Sequence, residues 1–226
     1  MRRQLTELFD NNWFFVSLIV FAVVMPFSTA LVSIMSGLVF LAALIEDSWQ
    51  NKLTRFHQNK ILLWLPAVYL LYMVSAFFSN ELVFSLYDLK KNLFYLVLPL
   101  AFIIGKNLLP IQKRYLLYAF AFSVFVSTIV ALVNWKFSEN VAAFGVHKAS
   151  LISHIRFSFQ LILVFWFMVL LIQKNYLRLS YKQKLLFVML AGYFLTFLLF
   201  QQSLTGLIAL ITSSVFYIIY LIFKTA

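Results

Sequence analysis

Cysteine is missing from all 226 residues. The chain therefore has no disulfide, no thiolate metal site, no iron–sulfur cluster and no cysteine nucleophile. Acidic residues are nearly as scarce: 7 Asp and Glu stand against 18 Lys and Arg, and charged residues make up only 11% of the sequence. So few charges cannot cover a water-soluble sphere of this size, which excludes a soluble globular enzyme and a disordered protein. With 5 Gly and 4 Pro there is no flexible linker, and residues 1–226 read as a single transmembrane domain. The Walker loop, His-Glu-x-x-His, the dinucleotide fingerprint and Gly-x-Ser-x-Gly are all missing. No carboxylate falls within an apolar run, so a proton relay lacks its usual residues.

Apolar residues fill the gap, at 64% of the chain with a mean hydropathy of +0.95. The net charge of +11 does not indicate nucleic acid, because the cations lie between long apolar runs, as in membrane-protein loops. The runs are Trp13 to Ile45, Ile61 to Phe78, Asn92 to Ile104, Tyr115 to Asn134, Phe157 to Ile172, Leu185 to Phe200, and Leu207 to Phe223. A spanning helix needs roughly 20 residues to cross ~30 Å. The first run, 33 residues long, exceeds that, and Pro26 interrupts it, so it reads as two short helices meeting at Pro26-Phe27-Ser28-Thr29. Leu82, Leu86, Leu89 and Leu93 form one helical face, which suggests an interfacial amphipathic segment leading into the next span, with Pro99 as a kink. The expected fold is an all-α polytopic transmembrane bundle of about eight spans.

Charge sets the direction. With N- and C-termini in the cytoplasm, the inside loops hold 13 cations, among them Arg2, Arg3, Lys52, Arg55, Lys60, Lys106, Lys113, Arg114, Lys174, Arg178, Lys182, Lys184 and Lys224; the outside holds 5, namely Lys90, Lys91, Lys136, Lys148 and Arg156. No cleavable signal peptide is evident, since the apolar stretch begins a dozen residues in and runs too long.

Chemistry is expected on the outside face. The loop from Trp135 to Arg156 holds His147 and His154, one carboxylate (Glu139) and three cations. His154 and Arg156 sit at the lip of the next span; on a helix Arg156 would share a face with Gln160, and His154 with Ser158. A guanidinium at that depth needs pairing or water, and its planar donor fork suits a phosphate or pyrophosphate; it could equally snorkel to lipid phosphate. His154 is open to reading as a base, a ligand or an interfacial residue. No third ligand accompanies the histidines, so no metal site is expected, and no cofactor. Gln201-Gln202-Ser203-Leu204-Thr205-Gly206 forms the second polar cluster, an outside turn whose Ser, Thr and Gly suit an anion at a helix start or a plain N-cap in a tight helical hairpin. Asp88, Lys91 and Asn92 read as an intrahelical polar face, and Ser33 with Gly37 as a small-xxx-small packing pair.

Three segments resemble the N-terminal part of the bacterial O-antigen ligase and O-antigen polymerase family of membrane glycosyltransferases. They are the N-terminal hairpin with its Pro-Phe-Ser turn, Ser75-Ala76-Phe77-Phe78-Ser79 followed by Ser85 to Leu93, and the pair Ser153-His154-Ile155-Arg156-Phe157-Ser158 and Gln202 to Leu207. The resemblance implies a multi-pass protein of the bacterial plasma (inner) membrane, acting in lipopolysaccharide and cell-surface polysaccharide assembly. Family members transfer a glycan from undecaprenyl pyrophosphate without a metal, either to lipid A-core or to another carrier-linked repeat. By this resemblance the substrate-binding residues are Arg156, His154, Ser203, Thr205 and Gly206. The family motif on Ser203 to Gly206 expects an arginine where Leu204 stands. The family's catalytic periplasmic loop would follow beyond Ala226, so the resemblance leads one to expect a truncated chain that is not catalytic alone. A second polypeptide carrying that half is then an expected partner, with the bilayer and the lipid-linked glycan; nucleic acid is not. The competing reading, from another class, is a small membrane transporter or a non-catalytic scaffold for a lipid-linked substrate, with Asn134 and Gln160 as its nearest polar candidates.

Overall fold

The computed structural model describes residues 12–79, 81–137, 149–174 and 179–225, and all regular structure among them is helical. The helices are α1 (Trp13–Val24), α2 (Thr29–Ile45), α3 (Trp49–Gln58), α4 (Trp64–Phe77), α5 (Leu82–Asn92), α6 (Phe94–Ile104), α7 (Pro110–Phe137), α8 (His154–Lys174), α9 (Tyr181–Phe200) and α10 (Leu204–Thr225), with a 3-10 turn at Lys60–Leu63. Among the described residues four helices are long and apolar enough to cross a membrane: Pro110–Phe137, His154–Gln173, Tyr181–Phe200 and Leu204–Lys224. Counting the bent pair α2–α3 as one broken span makes 5.

The chain divides into two compact units, one of residues 1–25 and 29–116, the other of residues 26–28 and 117–226. In the first unit the long N-terminal run breaks around Pro26, as its missing donor requires. Helix α1, at 12 residues, is about 18 Å long and α2, at 17, about 26 Å. Their packing buries Phe14, Leu18, Phe21, Val39 and Ala43 together with Ala101 of α6. The expected span from Asn92 to Ile104 begins later than its apolar pattern: the chain turns at Leu93, separating α5 from an 11-residue α6 that holds Pro99. Tyr69 of α4 donates its hydroxyl to the Leu89 carbonyl at 3.2 Å, which fixes α5 beside α4.

The segment from Lys52 to Lys60, expected as a loop, is helical up to Gln58. Ser48 caps α3 by accepting from the Asn51 N–H, and α3 turns 114° away from α2. Trp49, Leu53 and Phe56 are spaced like one face of a helix among polar residues, which is the composition of an interfacial helix.

In the second unit, Phe157, Leu161, Val164 and Met168 recur along α8 at intervals of 4, 3 and 4 and are buried against Ala191, Phe194, Phe197 and Leu198 of α9. The Phe157 and Phe197 rings meet edge to face, centroids 6.1 Å apart. Polar groups inside the bundle pair with one another: Thr128 with Tyr193 at 2.8 Å, and the Trp166 indole N–H with Ser213 at 2.8 Å. Ser180 and Gln183 form a full capping box at the start of α9. Only 6% of the apolar window of Leu204–Lys224 is buried, against 44% for His154–Gln173. An apolar helix left that bare requires hydrocarbon rather than water around it, which makes this a helical membrane protein.

Candidate functional site

Within the second unit, the start of α8 and the turn from α9 to α10 come together. Only residues 201–203 separate the two helices. Gln201 ends α9, its N–H bonding the Phe197 carbonyl at 2.9 Å. Gln202 takes a left-handed backbone, φ 53°, the conformation in which a glycine commonly ends a helix. Ser203 then caps α10: its carbonyl accepts from Leu207 N–H at 3.0 Å and its Oγ accepts from Gly206 N–H at 3.4 Å. The turn is thus a tight helical hairpin closed by a serine N-cap.

Ser203 does more than cap. Its Oγ donates to Ser158 Oγ on α8 at 3.1 Å and pairs with Thr205 Oγ1 at 3.1 Å. Ser158 in turn donates to the Ile155 carbonyl at 2.8 Å. Gly206 faces the same point. A β-carbon there would meet Ser158 Cβ at 2.7 Å and Leu198 Cδ1 at 2.8 Å, so only a hydrogen lets α10 approach this closely. Ser158 and Ser203 are buried, as is Gly206, while Thr205 is exposed.

His154 is the first residue of α8; it and Arg156 are both exposed at that end. The expected shared faces divide: Arg156 is exposed where Gln160 is buried, and His154 is exposed where Ser158 is buried. One helical turn carries the chain from the lip into the packed interior. Among the described residues no hydrogen bond or ion pair links Arg156 to Ser203, Thr205 or Gly206. His147, Glu139 and Lys148 lie outside the described residues, as do Arg2, Arg3 and Arg178. No group of three metal-ligating side chains occurs among the described residues.

Two further features of this unit were not read from the sequence. The Gln201 side chain is 1% exposed, and among the described residues neither its Oε1 nor its Nε2 has a hydrogen-bond partner. A groove of about 480 Å³ runs along α10 from Thr205 past Ile208 and Thr212 to Phe216, with Phe159 of α8 on its other wall. Its exposed lining is almost wholly apolar, although Thr205, Thr212 and Ser213 are among the residues that form it.

The first unit holds a polar junction between α2 and α3. Glu46 accepts the Phe14 N–H at 2.7 Å, placing a carboxylate at the N-terminus of α1, where the helix dipole favours it. Lys106 Nζ stands 3.9 Å from its other oxygen. Asp47 accepts from Asn51 Nδ2 and the Ser48 N–H, both at 2.8 Å, and pairs with Arg55 Nη1 at 2.8 Å. The Asn51 amide and the Ser48 N–H, with Arg55, pull the Asp47 carboxyl down to about 2. Sequence reading assigned Lys52 and Arg55 to a loop; the signal for the helix was Ser48 ahead of Trp49, Leu53 and Phe56.

No protein-family model matches the chain, and neither a curated protein nor a solved structure is similar to it.

Proposed function

We propose that this membrane protein is O-antigen ligase-like and binds an undecaprenyl-pyrophosphate-linked glycan at the outer surface of a bacterial inner membrane. The observation that carries the reading is the 3.1 Å contact between Ser203 and Ser158. It brings together the two segments, Ser153 to Ser158 and Gln202 to Leu207, whose sequences resemble the family. Arg156, beside His154 at the exposed end of α8, then supplies the donor fork for the pyrophosphate. The apolar groove along α10, which Thr205 helps to line, has a chemistry suited to a polyisoprenyl chain. Ser203 and Gly206 act by holding α8 against α10 rather than by touching the ligand, since the Ser203 hydroxyl is already engaged on both sides.

In the same proposal the chain makes about eight spans with both termini inside, the shorter helices of the first unit crossing with local thinning of the bilayer and snorkelling of their flanking residues. The 13-to-5 cation asymmetry supports this orientation.

The bend between α2 and α3 favours the second reading, a transporter or a scaffold for a lipid-linked substrate, because broken helices mark transport sites. The polar sequence of α3 fits an interface better than a bilayer midplane. Binding of radiolabelled undecaprenyl pyrophosphate to the purified chain tests the main reading. Wild type should bind, Arg156→Ala should lose about tenfold or more in affinity, and Arg156→Lys should recover only part of it. Equal binding by all three would leave Arg156 as a snorkelling residue and remove the site.

A further inference from the structure

Helix α3 is inside out for a helix in water. It buries Lys52 and Arg55, 5% and 9% exposed, and bares Trp49 and Leu53, 65% and 45% exposed. Both cations are committed within the protein. Arg55 pairs with Asp47 at 2.8 Å, and Lys52 donates to the Leu44 carbonyl in the last turn of α2, where the helix dipole favours a cation. The Ser48 cap adds a third contact at the bend. Together they hold α3 at 114° to α2, close to a right angle.

The far end of α3 is tied down as well. Its C-cap, Asn59, donates from Nδ2 to the Ile103 carbonyl in the last turn of α6 at 3.4 Å. Helices α2 and α6 pack together through Val39, Ala43 and Ala101. Glu46 and Lys106, just past the two C-terminal ends, stand 3.9 Å apart. The two helices therefore end at one level, and α3, about 15 Å long, runs across that level from one end to the other. A strap across two helix ends is not the second half of a broken span.

What covers the bare edge of α3 follows from α2. Leu31, Ile34, Leu38, Leu41 and Ile45 recur at intervals of 3, 4, 3 and 4 and are all exposed, which is the lipid-facing stripe of a membrane helix. Helix α3 begins 4 residues after that stripe ends. Trp49, Leu53 and Phe56 make one edge of it, and the uncharged Gln50, Thr54 and Gln58 are exposed around the other side. An apolar edge led by tryptophan, backed by a polar face, suits the layer where acyl chains meet headgroups.

We infer that α3 is an in-plane anchor whose Trp49–Leu53–Phe56 edge docks into the boundary between acyl chains and headgroups and holds the ends of α2 and α6 at that depth. The anchor belongs to the first unit and is independent of the glycan reading and of the direction of insertion.

The chain has no cysteine, so single introduced cysteines can carry a spin label. The test is the exposure of each label to oxygen and to a water-soluble nickel chelate, with the full chain in phosphatidylethanolamine–phosphatidylglycerol vesicles. Labels on Trp49→Cys and Leu53→Cys should favour oxygen and share one depth, about 5–10 Å inside the headgroup boundary. Labels on Gln50→Cys, Thr54→Cys and Gln58→Cys should favour the nickel chelate. A depth that grows by about 6 Å from position 49 to position 53 would make α3 an inserting span and overturn the anchor. Free access of the chelate to both positions would overturn it too. So would shielding of both from both reagents with spin–spin broadening that fades on mixing with unlabelled chain, which would put a second copy on this edge. Trp49→Phe checks the result without a label: it should remove part of the tryptophan emission quenched by lipids brominated near the glycerol. An unchanged quenched share would again overturn the anchor.

Discussion

Gly206 stands so close to Ser158 that a β-carbon added to it would lie 2.7 Å from the serine Cβ. The two residues set the approach of α10 to α8, and the hydrogen bond from Ser203 to Ser158 depends on that approach. Gly206→Ala should therefore destabilise the protein by about 1–3 kcal/mol through overpacking, despite alanine's better helix propensity. Gly37 is the contrast. No heavy atom lies within 4 Å of its virtual β-carbon, so the small-xxx-small pair with Ser33 closes on no described neighbour. Gly37→Ala should be neutral or raise stability by up to ~1 kcal/mol. Thermal midpoints of the two variants in one detergent would check the pair, and a harmless Gly206→Ala would mean that α8 and α10 are not packed as described.

Glu46 supports α1 from 32 residues away in sequence, through the 2.7 Å bond to Phe14 N–H. Charge-assisted bonds of this kind contribute about 1.5–3 kcal/mol. Glu46→Gln keeps an acceptor oxygen and loses the charge; Glu46→Ala loses both and should cost more. Amide hydrogen exchange at Phe14 is the direct reading. It should accelerate in the order wild type, Gln variant, Ala variant, while amides in α9 stay unchanged.

The elements that were legible in sequence are those with a single strong local cause. Pro26 announced the break between α1 and α2, and the lengths of the later apolar runs announced α7 to α10. Helix α3 was hidden because its charges resemble a cytoplasmic loop, and its three apolar residues are too few to outweigh them by eye. The break at Leu93 was hidden for the opposite reason: the leucine stripe runs straight through it. Of the candidate site, the Ser203 cap could be read from residue types alone. Its contact with Ser158, 45 residues away, is a matter of tertiary packing. The mismatch between exposed Arg156 and buried Gln160 has a geometric cause. Residues four apart lie ~40° apart around the axis and about 6 Å apart along it, enough to pass from the lip into the core.

Acid should weaken the junction of α2 and α3. The Asp47 carboxyl is lowered from 3.8 to about 2 by the Asn51 amide, the Ser48 N–H and Arg55. A depressed folded-state value means the unfolded chain binds the proton more readily. The stabilisation is therefore present above pH 3.8 and is lost as pH falls toward about 2. Asp47 is a surface group, so the contribution is at most ~1 kcal/mol. Asp47→Asn should be less stable than wild type at neutral pH and should converge with it in this acid window. Unfolding midpoints of both proteins across the window would check it; parallel curves would rule out Asp47 as the titrating group.

The orientation can be read chemically because the chain has no cysteine of its own. Helices α9 and α10 are both long enough to cross, and the turn at residues 201–203 joins them. Lys182 and Lys184 lie at the opposite end of α9, and Lys224 near the far end of α10. The proposed orientation, which rests on the concentration of cations on the cytoplasmic side, puts those three inside and the turn outside. Gln202 is exposed in that turn, whereas Lys184 lies one helix length away. Gln202→Cys should react with a membrane-impermeant maleimide added to intact cells. Lys184→Cys should react only after the membrane is opened. Reversal of the two results would overturn the proposed orientation of these spans. It would also place the Arg156 end of α8 in the cytoplasm and end the case for an outward-facing glycan site.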